Sequence, residues 1–152
     1  MQSLKLEKST AVRLFKGAPQ WFQEVLLSTF GPECFSGKII DRIKTFEDAC
    51  AVAGVDPDSY FSVHDTEDET AFKKLKLIIK VINEDWVPDW NNTDEQKWYP
   101  WFQVASGFGF SGSNYDCTYS FTSVGSRLCF SSEEKSDYVA KQFIDLYKQF
   151  LN

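Results

Sequence analysis

A change in hydrophobic period near the middle of the chain constrains its fold most strongly. Before that change, apolar residues recur at helical spacing at Ala71, Phe72, Leu75, Ile78, Ile79 and Ile82. From Trp98 onward, aromatic and β-branched residues dominate and glycines interrupt them. A long amphipathic helix is therefore predicted, capped by Thr66 together with Glu69 and ending near Asn83, and strands are predicted after it.

Four short strands are predicted in the second half of the chain. They lie near Trp98–Val104, Phe108–Phe110, Cys117–Thr122 and Ser126–Phe130. Cys117–Thr122 alternates Cys, Tyr and Phe with Thr and Ser, which predicts one buried face and one solvent-exposed face. Pro100 restricts its strand to a sheet edge or a bulge.

Along the chain, helices are predicted both before and after these strands. Thr45 and Asp48 form a capping-box pattern for one of the N-terminal helices. Ser131 and Glu134 predict the start of a C-terminal helix, whose apolar face is Val139, Phe143, Leu146 and Phe150. The order predicts an α+β fold: N-terminal helices, a small mainly antiparallel sheet of about four strands, and a C-terminal helix packed on the sheet. Residues 1–152 are predicted to form one domain, with residues 1–62 the candidate for a helical subdomain.

Charge and apolar content limit where the chain acts and what it binds. The formal net charge is −6, which opposes general binding to nucleic acid. The N-terminus carries no apolar signal segment and no apolar run is long enough to span a bilayer, so a cytoplasmic protein is expected, with no membrane partner. The four cysteines are expected to be reduced and mostly buried. A Cys117–Cys129 disulfide is the alternative.

Five stretches of the chain together carry a family resemblance: Asp41–Cys50, Lys74–Trp90, Lys97–Phe102, Val124–Phe130 and Lys141–Phe150. They resemble a family of small uncharacterised proteins encoded by Bacteroidetes and by their phages and prophages. The resemblance covers most of the chain from Asp41 onward. It implies a phage-linked origin in the host cytoplasm or in association with the virion, and it brings no catalytic assignment.

Catalytic and cofactor motifs are matched only in part. Gly107–Gly112 fits the pattern GxGxxG, but a strand rather than a helix is predicted after it, so a glycine-rich turn between strands is the better interpretation. His64 is the one histidine, which leaves a single base for any catalytic triad. No cysteine and histidine spacing is typical of zinc. We therefore expect no cofactor or metal, and an enzyme of unrecognised type stays open only as an alternative.

Aromatic residues on either side of a Pro- and Asn-containing loop are the candidate binding site. The site residues are Trp86, Trp90, Trp98, Tyr99 and Trp101, with Arg127 and Lys97 as sources of positive charge. Exposed aromatic rings are typical of protein interfaces and of platforms for bases and sugars. The alternative is a small aromatic core beneath the loop.

Two functions follow from this site. The first is a non-enzymatic, phage-linked interaction or accessory protein that binds a host or phage protein. The second is a module that binds nucleic acid or a small ligand on an aromatic sheet surface. The oligomeric state is not indicated by the sequence.

Overall fold

The computed structural model describes residues 6–35, 37–122, 125 and 127–151. The chain divides into two compact units, Met1–Tyr60 and Phe61–Asn152. The first is helical and the second combines helices with a β-hairpin. Helix and sheet together agree with the mixed class that the sequence predicts.

The described residues of the first unit form four α-helices. They are α1 (Lys8–Phe15), α2 (Gln20–Phe30), α3 (Ile39–Arg42) and α4 (Phe46–Ala53), with 3-10 turns at Pro32–Cys34 and Pro57–Ser59. The predicted cap of α4 is confirmed: the Thr45 hydroxyl accepts from the Asp48 N–H at 3.1 Å, and the Asp48 carboxylate accepts from the Thr45 N–H at 2.9 Å. Gly54 ends α4 in a left-handed conformation at φ 69°.

The second unit is built on α5 (Glu67–Ile82), which is the long helix that the sequence predicts. The Glu69 carboxylate accepts from the Thr66 N–H at 2.8 Å and so caps the helix start. Seven of its residues are buried: Ala71, Leu75, Leu77, Ile78, Ile79, Val81 and Ile82. Each large apolar side chain that is fully buried contributes roughly 1.5–3 kcal/mol, so α5 supplies much of the apolar core of this unit.

An antiparallel hairpin follows, made of β1 (Lys97–Gln103) and β2 (Gly109–Asp116). The register runs from Lys97 opposite Asp116 to Gln103 opposite Gly109. A bulge interrupts it, since Trp101 pairs with Gly112 and Phe102 pairs with Phe110. Gly112 has φ 144°, a value that favours glycine, so the glycine-rich stretch shapes a hairpin and its bulge.

The prediction of four strands is wrong. In the part of the chain that the structure describes, the sheet has two strands, and β2 runs through Ser111–Asp116, which lies between two of the predicted strands. Residues 117–122 form bends and a turn instead of a strand. The predicted strand Ser126–Phe130 begins at a residue outside the described ones, and Phe130 forms an isolated bridge with Trp98.

The predicted C-terminal helix is two helices, α6 (Glu133–Gln142) and α7 (Ile144–Leu151). The N-cap of α6 is Ser132 rather than Ser131, and its hydroxyl accepts from the Lys135 N–H. The chain leaves helical geometry at Phe143, with φ −116° and ψ 33°. The break has a packing reason, because α6 packs on both strands whereas α7 packs on α5. A single straight helix could not pack both on the strands and on α5.

Candidate functional site

The structure brings two of the predicted site residues together and separates the others from them. Tyr99 and Trp101 lie on the same side of β1, with ring centroids 6.1 Å apart. Trp98 packs against Tyr115 across the ladder at 4.9 Å. Trp86 and Trp90 are half-buried in the segment between α5 and β1. Trp86, Trp90 and Trp98 are not among the residues that line the cleft to which Tyr99 and Trp101 belong.

Lys97, which the sequence predicts as a source of positive charge for the site, is a buried side chain that connects two segments of the chain. It is 1% exposed, and its ammonium donates to the carbonyl oxygens of Asn92, Glu95 and Cys117 at 2.9, 3.0 and 3.1 Å. The same ammonium lies 5.3 Å from the centre of the Trp90 ring. Lys97 thus fastens the segments before β1 and after β2 to each other.

Tyr99 and Trp101 form part of a cleft in the second unit. The cleft is lined by Tyr99, Pro100, Trp101, Phe102, Phe121, Leu128, Tyr147, Phe150 and Leu151. These residues come from β1, from the segment after β2 and from α7. Its volume is about 210 Å³. An apolar cavity of about 150 Å³ holds benzene, so one ring or one short apolar chain fits.

The rim of the cleft is apolar and open to solvent. Trp101 is 48% exposed and Phe121 is 49% exposed, and their rings meet edge to face at 6.0 Å. Phe121 also contacts Tyr99 edge to face at 5.6 Å. Exposed rings that stand together at the mouth of a cleft are typical of a binding surface.

Asp116 holds the segment that carries Phe121. Its carboxylate accepts from the N–H groups of Tyr119 and Thr118 at 2.7 and 2.8 Å. These bonds stabilise the ionised form and lower the pKa of Asp116 below its ordinary value. They also turn the chain away from β2, which places Phe121 over β1 and leaves Tyr119 76% exposed. The predicted buried face of residues 117–122 is therefore wrong.

The Tyr147 side chain forms part of the cleft wall and has an unusual hydroxyl. Tyr147 is 4% exposed and its ring packs on Phe102 at 4.6 Å. The hydroxyl is buried, and among the described residues it has no hydrogen-bond partner. Burial raises the pKa of this hydroxyl above its ordinary value, so the proton stays on at neutral pH. An unsatisfied buried polar group costs about 1–3 kcal/mol, whereas phenylalanine would fill the same space without that cost.

Arg127 lies outside the cleft lining, in a neighbouring depression. Asp68, Glu69, Phe72 and Phe150 line this depression with it, and Phe150 is common to the two. A further depression is lined by Glu67 of α5 and by Asp145, Lys148 and Gln149 of α7. Carboxylates outnumber cations in the two depressions together, so the surroundings of the cleft are net negative.

A polar cluster between β2 and α6 is explained by packing. Ser113 Oγ lies 2.7 Å from Ser136 Oγ and donates to Asp137 Oδ1 at 2.7 Å. Lys141 pairs with the same carboxylate group at 3.2 Å. These groups satisfy one another and fasten α6 to the hairpin, and no histidine is part of the cluster.

A depression in the first unit has a local explanation. It is lined by charged residues that include Asp41, Arg42 and Asp48. Asp41 accepts from the Lys38 N–H at 3.3 Å, and Asp48 accepts from the N–H groups of Lys44 and Thr45. Arg42 Nε is buried there and has no hydrogen-bond partner within the described ranges. Because both carboxylates are engaged at helix starts, the cleft of the second unit is the stronger candidate.

The described residues lack both a metal-binding cluster and a helix able to cross a membrane. Residues 6–35, 37–122, 125 and 127–151 contain no group of three or more His, Cys, Asp or Glu residues arranged to hold a metal ion. Within them, no helix combines the length and the hydrophobicity that crossing a bilayer requires. All four cysteines are free thiols, and burial raises the pKa of Cys129 to about 11.

The sequence predicted the wall of the cleft that β1 forms, but not the walls formed by the segment after β2 and by α7. Tyr99 and Trp101 were identified by their aromatic density. Phe121 was assigned to a strand, and Tyr147 falls between the residues of the predicted apolar face of the C-terminal helix. The available signal was Phe150, which that face includes and which lines the cleft.

Comparison with known proteins leaves the geometry as the basis for assigning a function. No protein-family model, curated protein or solved structure matches the chain.

Proposed function

We propose that the protein is a non-enzymatic binding protein that recruits a protein partner by taking one of its apolar side chains into the cleft. The proposal rests on the cleft itself, with Trp101 and Phe121 half-exposed at its mouth. Hot spots of protein interfaces are enriched in aromatic residues that fill well-packed pockets near the centre of the interface.

The size of the cleft favours a side chain over a larger ligand. Pockets that enclose drug-sized molecules measure roughly 300–1,000 Å³. The cleft measures about 210 Å³, which suits one side chain. A partner protein adds contacts around that anchor, which a free small molecule of the same size cannot do.

The resemblance stated above supplies a setting for this function. In a phage-linked protein of the host cytoplasm or the virion, the partner is a host or phage protein. The setting is part of the proposal and is independent of the geometry of the cleft.

Short peptides test the binding function. Two peptides are compared by NMR titration, a Gly- and Ser-rich pentamer with a central phenylalanine and the same pentamer with alanine at that position. We expect the phenylalanine peptide to bind with a Kd on the order of 1 mM, which corresponds to about −4 kcal/mol, and the alanine peptide not to bind measurably. Trp101→Ala should weaken binding at least about tenfold, as removal of a hot-spot residue does.

A matched control variant distinguishes binding in the cleft from nonspecific binding to exposed aromatic residues. Trp21 is 67% exposed, belongs to the first unit and is not among the residues that line the cleft. Trp21→Ala should leave the affinity for the phenylalanine peptide unchanged. Equal binding by wild type and Trp101→Ala, with both folded by circular dichroism, would contradict the proposal.

Single-stranded nucleic acid is the competing occupant. Residues 61–152 contain 14 Asp and Glu against 9 Lys and Arg, a charge that opposes phosphate contacts. An oligothymidylate should therefore not bind at low salt. Binding that depends on Trp101 and weakens steeply with added salt would overturn the protein-partner proposal in favour of a stacking platform.

A further inference from the structure

We propose that the side chain received by the cleft is the phenol ring of a tyrosine carried by a basic segment of the partner protein. This inference rests on the function proposed above and adds the chemistry of the occupant. It follows from two independent observations, the unpartnered hydroxyl of Tyr147 and the charge around the cleft.

The Tyr147 hydroxyl selects for an occupant that carries oxygen. Tyr147 is one of the residues that line the cleft, and its hydroxyl is buried within the protein and has no hydrogen-bond partner within the described ranges. A protonated hydroxyl donates one hydrogen bond and accepts others, and a phenol oxygen can be its partner. A purely apolar ring such as that of phenylalanine would leave the Tyr147 hydroxyl unsatisfied. Tyrosine is also among the residues enriched at hot spots.

The occupant reaches this hydroxyl by parting one wall. In the free protein the hydroxyl is closed off from solvent. Phe150 and Leu151 stand in the last turn of α7, and terminal helical turns have the fewest backbone hydrogen bonds to break. A small outward movement of that turn admits a ring that enters past Trp101.

The surroundings of the cleft favour basic flanking residues. Asp68, Glu69 and Arg127 line the depression that shares Phe150 with the cleft. Glu67 of α5 and Asp145 of α7 line another depression together with Lys148. Lysine or arginine beside the anchoring tyrosine would therefore meet an opposite potential, which mainly accelerates association and selects the partner.

Two small probes test the role of the hydroxyl. Toluene is the side-chain analogue of phenylalanine and p-cresol that of tyrosine. Both are titrated against wild type and Tyr147→Phe by NMR. We expect the substitution to weaken p-cresol about tenfold, or about 1.4 kcal/mol, and to leave toluene within about twofold. Tyr119→Phe changes a tyrosine outside the cleft lining and should alter neither affinity.

The possible outcomes separate the two proposals. Loss of toluene binding in Trp101→Ala would support the binding function of the cleft. If the ratio of p-cresol to toluene affinity were unchanged in Tyr147→Phe, the tyrosine inference would be overturned while the binding function would stand. Failure of toluene to bind wild type in the cleft would overturn both. Thermal unfolding verifies that Tyr147→Phe is folded, since phenylalanine fits the same space.

A peptide pair tests the basic segment. Pentamers with a central tyrosine are made with lysine on both sides or with glutamate on both sides. The lysine peptide should bind about tenfold more tightly at low salt, and the preference should shrink at about 0.5 M salt, where charges are screened within a few ångströms. Equal affinities at low salt, or tighter binding of the glutamate peptide, would overturn the charge preference.

Discussion

Residues 97–103 and residues 117–122 have similar sequence patterns and different structures. Both are rich in aromatic residues and overlap predicted strands: the first contains the pairs Trp98-Tyr99 and Trp101-Phe102, and the second alternates Tyr119 and Phe121 with Ser and Thr. The first becomes β1, while the second leaves the sheet and covers one side of it. The difference shows that alternation alone does not determine a strand, because local side-chain hydrogen bonds compete for the same backbone groups.

The competing groups in the second segment can be identified. The Asp116 carboxylate accepts two N–H groups that a strand would give to its neighbour, and the Lys97 ammonium binds the Cys117 carbonyl. These bonds turn the chain directly after β2. The turn places Phe121 against Tyr99 and Trp101, so the same bonds that prevent a third strand complete the cleft.

Loss of Lys97 should have the largest effect on this arrangement. Lys97→Met keeps most of the stem of this buried side chain and leaves the carbonyl groups of Asn92, Glu95 and Cys117 without their donor. We expect the free energy of unfolding in urea to fall by about 3 kcal/mol, as for removal of one partner of a buried charged network. Lys80→Met on the exposed side of α5 is the matched control and should cost less than about 0.5 kcal/mol. A cost for Lys97→Met as small as that of the control would show that Lys97 does not hold the two segments.

A smaller effect is expected from Asp116, and it depends on pH. The lowered pKa means that its contribution is fully present above the ordinary value of 3.8 and is lost as the pH falls below that value through the folded pKa. Toluene binding should weaken over this acidic range while circular dichroism stays native. The pKa of Asp65 is also lowered, by its hydrogen bond from Lys73, but that group lies away from the cleft lining. Asp116→Asn should bind severalfold more weakly at pH 7 and lose the acidic dependence. An unchanged acid profile in Asp116→Asn would assign it to another group.

The smallest effect concerns the stability of Tyr147→Phe. Removal of an unsatisfied buried hydroxyl should leave the free energy of unfolding unchanged or raise it by up to about 1 kcal/mol. A loss above about 1 kcal/mol in urea unfolding would show that the hydroxyl is satisfied in the free protein and is not reserved for a ligand. If the inference about the occupant holds, Tyr147→Phe weakens p-cresol binding while the free energy of unfolding stays the same or rises.

The sequence predicted those parts of the fold that depend on nearby residues. The stripe of α5 and the caps at Thr45 and Thr66 are local patterns, and the structure confirms them. The role of Lys97 depends on a carbonyl 20 residues away, so its sequence neighbours do not reveal it. The third wall of the cleft comes from α7, which folds back along α5 after a break at Phe143 that helical periodicity does not indicate.

Chemical-shift mapping of p-cresol binding tests the central claim most directly. In a protein with isotopically labelled leucine methyl groups, Leu128 and Leu151 line the cleft, whereas Leu14 is an exposed leucine of the first unit. The account predicts that Leu128, Leu151 and the Trp101 indole shift together along one binding curve and that Leu14 does not move. Shifts at Leu14 of the same size, or no shift at the cleft residues at saturating p-cresol, would contradict it.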